Sequence, residues 1–91
     1  MIIKFTRVFQ LDLIQQVHYI YKDKPKAALK FRKDLIKNLK KDLKYPYNFK
    51  KSIHFKSENI RDYVFKGYTC VYEVDENAVM VFGFIKYKES L

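Results

Sequence analysis

The apolar positions along the chain change period twice, and the changes mark out its elements. Ile2-Ile3-Lys4-Phe5-Thr6 is short, β-branched and aromatic, and predicts a first strand. From Val8 the spacing becomes three and four. Val8, Leu11, Ile14, Val17 and Tyr21 predict one apolar face of a helix, with His18 packing at its boundary. Asp23-Lys24-Pro25 stops that helix, because proline disfavours helical geometry in the residue before it. The same proline suits the first turn of a second helix, with Asp23 or Lys24 near its N-cap.

The second helix is the clearest element. Ala27, Phe31, Leu35, Leu39 and Leu43 fall four apart, and Ala28 and Ile36 widen the stripe. Opposite them Lys26, Lys30, Lys33, Lys37, Lys40 and Lys44 recur at steps of four and three. This spacing predicts a core face and a continuous basic ridge free of interleaved acids. The short break makes the two helices an antiparallel hairpin. Tyr45-Pro46-Tyr47-Asn48 closes the second helix, and residues 47–58 read as a basic loop with brief strand character at Ile53-His54-Phe55.

From Ile60 the pattern is that of strands. Residues 60–65 lead into Lys66-Gly67, a hairpin turn in which glycine supplies a positive φ. Residues 68–74 follow, then the turn Asp75-Glu76-Asn77, then residues 79–85. The last run is apolar on both faces, Met80, Phe82 and Phe84 against Val79, Val81 and Ile85, as a covered or central strand requires. The predicted fold is α+β: a strand, an antiparallel helical hairpin, then a three-stranded antiparallel meander carrying the hairpin on one face.

Composition adds to this picture in three ways. With 91 residues, 48% of them hydrophobic, the chain is one domain with a core, and only two Gly and two Pro argue against disorder. The single cysteine, Cys70, excludes an internal disulfide framework and, with no signal-like start, suggests a reducing cytoplasm. No apolar run approaches the roughly 18 residues of a membrane span, so no membrane association is expected.

Charge changes the picture most. The net is +9, and residues 22–56 hold 13 basic residues against Asp23, Asp34 and Asp42, whereas residues 57–91 hold four basic and six acidic ones. Such asymmetry points to an acidic protein or a polyanion as partner. Only three of the 19 basic residues are arginine, the more usual reader of phosphate, so a solvated lysine face is the simpler alternative.

Candidate chemistry is sparse. Two histidines and one cysteine, scattered, make no zinc site, and no metal or cofactor is expected. Cys70 alternates with Tyr68 and Tyr72 on one strand, which reads as an inert buried thiol between core aromatics. His54 lies in the basic loop and is a candidate general base, but no second catalytic residue is sequence-adjacent. Arg61 serves either as a phosphate clamp or in a structural pair with an acid. Lys86, Tyr87 and Lys88 stand where the last strand emerges.

Several of these pieces, in this order, resemble the RelE/ParE superfamily of toxins from type II toxin–antitoxin systems. Asp23-Lys24-Pro25-Lys26-Ala27-Ala28 is similar to its helix break, and residues 35–43 with Tyr45-Pro46 to its second helix and closing proline. Ile60-Arg61, Lys66-Gly67-Tyr68, Val71-Tyr72 and Val74-Asp75-Glu76 resemble its arginine-bearing strand, turn and following hairpin. The resemblance implies a growth-inhibiting toxin neutralised by an acidic, largely disordered antitoxin segment.

Two activities divide the superfamily. RelE-like members cut messenger RNA on the ribosome, with basic residues on the meander and a basic or tyrosine-bearing tail. The matching candidates here are Arg61, Lys86, Tyr87 and Lys88. ParE-like members inhibit DNA gyrase. The residue after the turn tyrosine, basic in RelE, is Thr69 here, and Tyr63 stands where RelE has its second meander lysine. Those departures and the long hairpin make the chain more similar to ParE. The lysine ridge is then the expected antitoxin contact. A non-toxic module binding nucleic acid is the reading that charge alone would support, with affinity falling steeply in salt.

Overall fold

Each element begins or ends where the local chemistry demands it. In the computed structural model, which describes residues 2–86, β1 (Ile2–Phe5) runs into Thr6, whose Oγ1 accepts from the Phe9 amide at 3.1 Å and caps α1 (Arg7–Asp23). Lys24 alone separates α1 from α2 (Pro25–Asp42). It is the N-cap of α2 without a side-chain bond, and Pro25 begins the first turn. A 3-10 turn, Pro46–Asn48, leads to a loop and then to β2 (Ile60–Phe65), β3 (Tyr68–Val74) and β4 (Ala78–Lys86).

The sheet order is β1-β4-β3-β2. β2, β3 and β4 form the antiparallel meander, and β1 adds to it in parallel, with Ile3 beside Val79 and Phe5 beside Val81. β4 is therefore central, as its two apolar faces require. The helices cover one face, and between the layers lie Phe9, Leu13, Phe31, Leu35, Leu39, Leu43, Tyr72, Val79 and Val81. Fully burying a leucine such as Leu35 or Leu39 contributes about 1.5–3 kcal/mol.

Five expectations are corrected. The buried stripe of α1 is Phe9, Leu13 and Val17 with Ile20 packed beside it; Val8, Leu11, Ile14, His18 and Tyr21 are exposed. Both stripes have helical spacing, and the aromatic contacts of Phe9 with Phe5 and Phe84 select the buried one. On α2, Ala28 is buried and Ala27 exposed. The ridge is broken by Asp34, which accepts from Lys30 Nζ at 2.8 Å. Residues 53–55 form no strand; the pairing falls at Lys51, bridged to Arg61 on the outer edge of β2. Finally, a bulge between Val71 and Tyr72 breaks the alternation of β4, so Phe84 joins the core beside Phe9 and Tyr68 while Phe82 points away.

Candidate functional site

The exposed residues of α1 acquire meaning from what α2 sets beside them. Where the hairpin meets the end of β1, Phe5, Leu13, Ile14 and Ile36 floor a cavity of about 340 Å³, and Gln10, Arg32 and Lys40 line its rim. Gln10 is fixed by donating from Nε2 to the Phe5 carbonyl at 3.0 Å. Ile14 is 48% exposed, and Leu11 and Val8 extend its apolar stripe along α1. An apolar groove with cations at its edge takes an apolar side chain flanked by carboxylates.

The predicted partner-binding lysines are all exposed, Lys26, Lys30, Lys33, Lys37 and Lys40 on α2 and Lys44 in the turn just beyond it. Of these Lys40 lines the groove, and Lys30 is held by Asp34. The bond from Lys30 keeps the Asp34 carboxyl below its usual range, with the Lys66 and Lys37 charges adding to it. Lys30 is exposed and Asp34 partly so, which makes this a screened surface interaction.

The residues proposed for phosphate chemistry lie elsewhere and apart from one another. Arg61 is largely covered: Nε donates to the Glu58 carbonyl and Nη1 to the Phe49 carbonyl, both at 2.9 Å. Its guanidinium sits 4.9 Å from the Tyr47 ring centroid, with the Glu58 carboxylate 3.8 Å from Nη2. Lys86 sits 5.5 Å from the Tyr19 ring centroid and lines a second cavity of about 350 Å³ with Asp12, Gln15, Gln16 and Phe84. Arg61 pairs with Tyr72 and Lys86 with Tyr68. Four residues of β3 therefore separate their levels, roughly 13 Å at strand rise. Tyr87 and Lys88 lie outside the described residues.

The remaining singled-out groups serve the core. The Tyr63 hydroxyl donates to the Asp42 carboxylate and the Tyr72 hydroxyl to the Pro46 carbonyl, tying the end of α2 to the sheet. Burial raises both phenols, helped at Tyr63 by the neighbouring Asp42. Tyr68 stacks on Phe84 with centroids 5.0 Å apart. Cys70 is fully buried, and desolvation pushes its thiol up to about 12. The His54 side chain is exposed, and its amide donates to Ser52 Oγ at 3.1 Å. Among the described residues no cluster of His, Cys, Asp and Glu fits a metal ion, and no helix is long and apolar enough to cross a membrane.

The sequence reading missed the groove itself. Its signal was present as the second apolar stripe of α1, which a helix lying on a sheet cannot bury together with the first. The reading also missed Asp62, which lies buried under the loop before β2.

A family model described as the ParE toxin of the type II toxin–antitoxin system parDE matches residues 3–90. The fold is similar to a solved chain of the chromosomal ParDE toxin–antitoxin system from P. aeruginosa, with a TM-score of 0.74 and 20% identity over 94% of this chain and 95% of that one. Comparison with curated proteins gives no match.

Proposed function

The chain belongs to the ParE toxin family of type II toxin–antitoxin systems, and from that premise we propose that it arrests growth by binding DNA gyrase and is neutralised by a co-encoded acidic antitoxin. The observation that carries the antitoxin half is the groove between α1 and α2, with its apolar floor and its rim of Arg32 and Lys40. An antitoxin segment with apolar side chains spaced for the groove and carboxylates beside them would match both parts. The lysines of α2 would steer it there.

Binding, as opposed to cleavage, is favoured by the state of the polar groups on the meander. Metal-independent RNA cleavage needs a base for the 2′-hydroxyl and cations on the developing phosphorane, converging on one point. Arg61 has its donors directed to its own loop, Lys86 stands at the other end of the strands, and the Tyr63 phenol is held by Asp42. A protein that acts by occupying its target needs no such convergence.

The test is supercoiling of relaxed plasmid by purified gyrase. Inhibition by micromolar toxin, relieved by the product of the neighbouring reading frame, is expected. Unimpaired supercoiling overturns gyrase as the target, and codon-positioned cuts in transcripts of expressing cells overturn the reading in favour of a ribonuclease. Ile14→Glu should weaken antitoxin binding at least roughly tenfold with the fold intact, because it sets an anion among the carboxylates the groove attracts.

A further inference from the structure

The sheet has a second face, which the helices do not touch. Asp62 and Val64 of β2, Val71 of β3 and Phe82 of β4 point to it. The loop of residues 49–59 folds across part of this face. The Ser52 amide donates to the Ile60 carbonyl at 2.8 Å and the Asp62 amide to the Lys50 carbonyl at 3.1 Å. The Ile53 amide donates to Asp62 Oδ2 at 3.3 Å, and Phe55 meets Phe82 edge-on with centroids 5.5 Å apart.

The loop is braced from below. Arg61 gathers the Phe49 and Glu58 carbonyls, Tyr47 donates to Asn59 Oδ1 at 2.9 Å, and Lys51 pairs with Glu58 at 2.6 Å. Asp62 is buried beneath it, with Oδ1 lacking a hydrogen-bond partner among the described residues. Leaving a buried polar atom unpaired is unfavourable, and the tie between Asp62 and the loop is the bond its Oδ2 accepts from the Ile53 amide.

Yet the loop hides little of itself. Ile53 is 76% exposed, Phe55 44%, and Val64, two residues along the strand from Asp62, is 60%. Single exposed apolar residues need no explanation, but two on a braced loop with a third on the strand that the loop bonds to suit an interaction surface. Lys50 and Lys56 are exposed on the same loop.

We propose that Ile53, Phe55 and Val64 form the surface that grips the toxin's target, an acidic protein face with an apolar centre, on the side of the sheet opposite the antitoxin groove. This rests on the reading that the target is a protein. A protein fits better than nucleic acid because the exposed centre is largely aliphatic, and the one arginine nearby has its donors turned inward. The molecule is only 21 Å through its shortest dimension, so a partner in the groove can exclude the target by bulk without sharing its contacts.

The test uses Ile53→Glu combined with Val64→Glu in the full chain, both exposed sites that leave the core untouched. Expected is at least a roughly tenfold rise in the amount needed for growth arrest and for gyrase inhibition, with antitoxin affinity and thermal midpoint unchanged. Full growth arrest by this variant overturns the surface, whatever the target. Wild-type arrest without gyrase inhibition, lost in the variant, overturns gyrase as target but leaves the surface standing. Two further results overturn the proposal: wild-type binding to DNA alone that the variant loses, which assigns the surface to nucleic acid, and a wild-type dimer that the variant dissolves, which assigns it to self-association. A wild type that arrests nothing overturns both readings.

Discussion

Gly83 stands opposite Val71 in the pairing of β3 with β4, and a Cβ placed on it would lie 3.0 Å from Val71 Cβ and 3.2 Å from its Cγ2. Val71 is buried and next to the bulge, so it has little room to yield. Gly83→Ala should therefore destabilise the protein by about 1 kcal/mol or more, read as a lower midpoint in urea with unchanged slope. A second residue-scale prediction concerns acid. Asp75 Oδ1 accepts from the Asn77 amide at 2.9 Å and the Ala78 amide at 2.7 Å, and these bonds hold its carboxyl below the ordinary 3.8. A carboxyl lowered in the folded state stabilises above its unfolded pKa, and that contribution is lost as pH falls through the folded value. The loss thus belongs to the acid side of about pH 4. Asp75→Asn keeps an acceptor oxygen and cannot titrate. Its stability should fall less steeply than that of the parent over that window, in denaturant titrations at stepped pH. Equal slopes would remove Asp75 from the acid sensitivity of the fold.

The two-residue turn joining β2 to β3 holds Lys66 at φ 48° and Gly67 at φ 83°, the doubly positive conformation that matches strand twist. Glycine was expected to supply that geometry; that a lysine shares it is not legible, since lysine avoids it. Lys66→Asn should raise stability by about 0.5–1 kcal/mol, measured as a higher midpoint, because asparagine tolerates the left-handed region better. Elements with one dominant stripe were read correctly from spacing. α2 has leucines four apart on one side and lysines on the other, and Leu35, Leu39 and Leu43 are buried as that pattern requires. α1 carries two apolar stripes one residue apart, and periodicity cannot choose between them. The choice is made by aromatic packing of Phe9 against Phe5 and Phe84, residues far apart in sequence. The bulge beside Tyr72 is similarly silent in sequence, since it depends on how two strands settle against each other. Ile14 of the unburied stripe lines the groove beside Leu13 of the buried one, so the element hardest to read carries part of the proposed antitoxin contact.

At the scale of the whole molecule, the two proposed contact surfaces lie on different sides. The lysines of α2 project from the helical layer, while Ile53, Phe55 and Val64 lie on the far face of the sheet. The charge asymmetry along the sequence announced the first surface. The second depended on the fold of the loop of residues 49–59, whose bracing by Arg61 and Asp62 no local pattern declares. If the lysines act at long range, their effect must appear in the rate of encounter and fade with screening, because the Debye length falls from about 30 Å at 0.01 M salt to about 10 Å at 0.1 M. Replacing Lys33, Lys37 and Lys40 together with Glu should slow antitoxin association at least roughly tenfold at low ionic strength, with the difference shrinking as salt is added. Lys40 also lines the groove, so a residual salt-independent rise in dissociation rate should remain, and Lys40→Gln alone should reproduce that part. Stopped-flow binding across a salt series separates the two. Association rates that match the parent at low salt would mean the ridge only keeps the protein soluble. Recognition would then belong to the apolar floor of Leu13, Ile14 and Ile36.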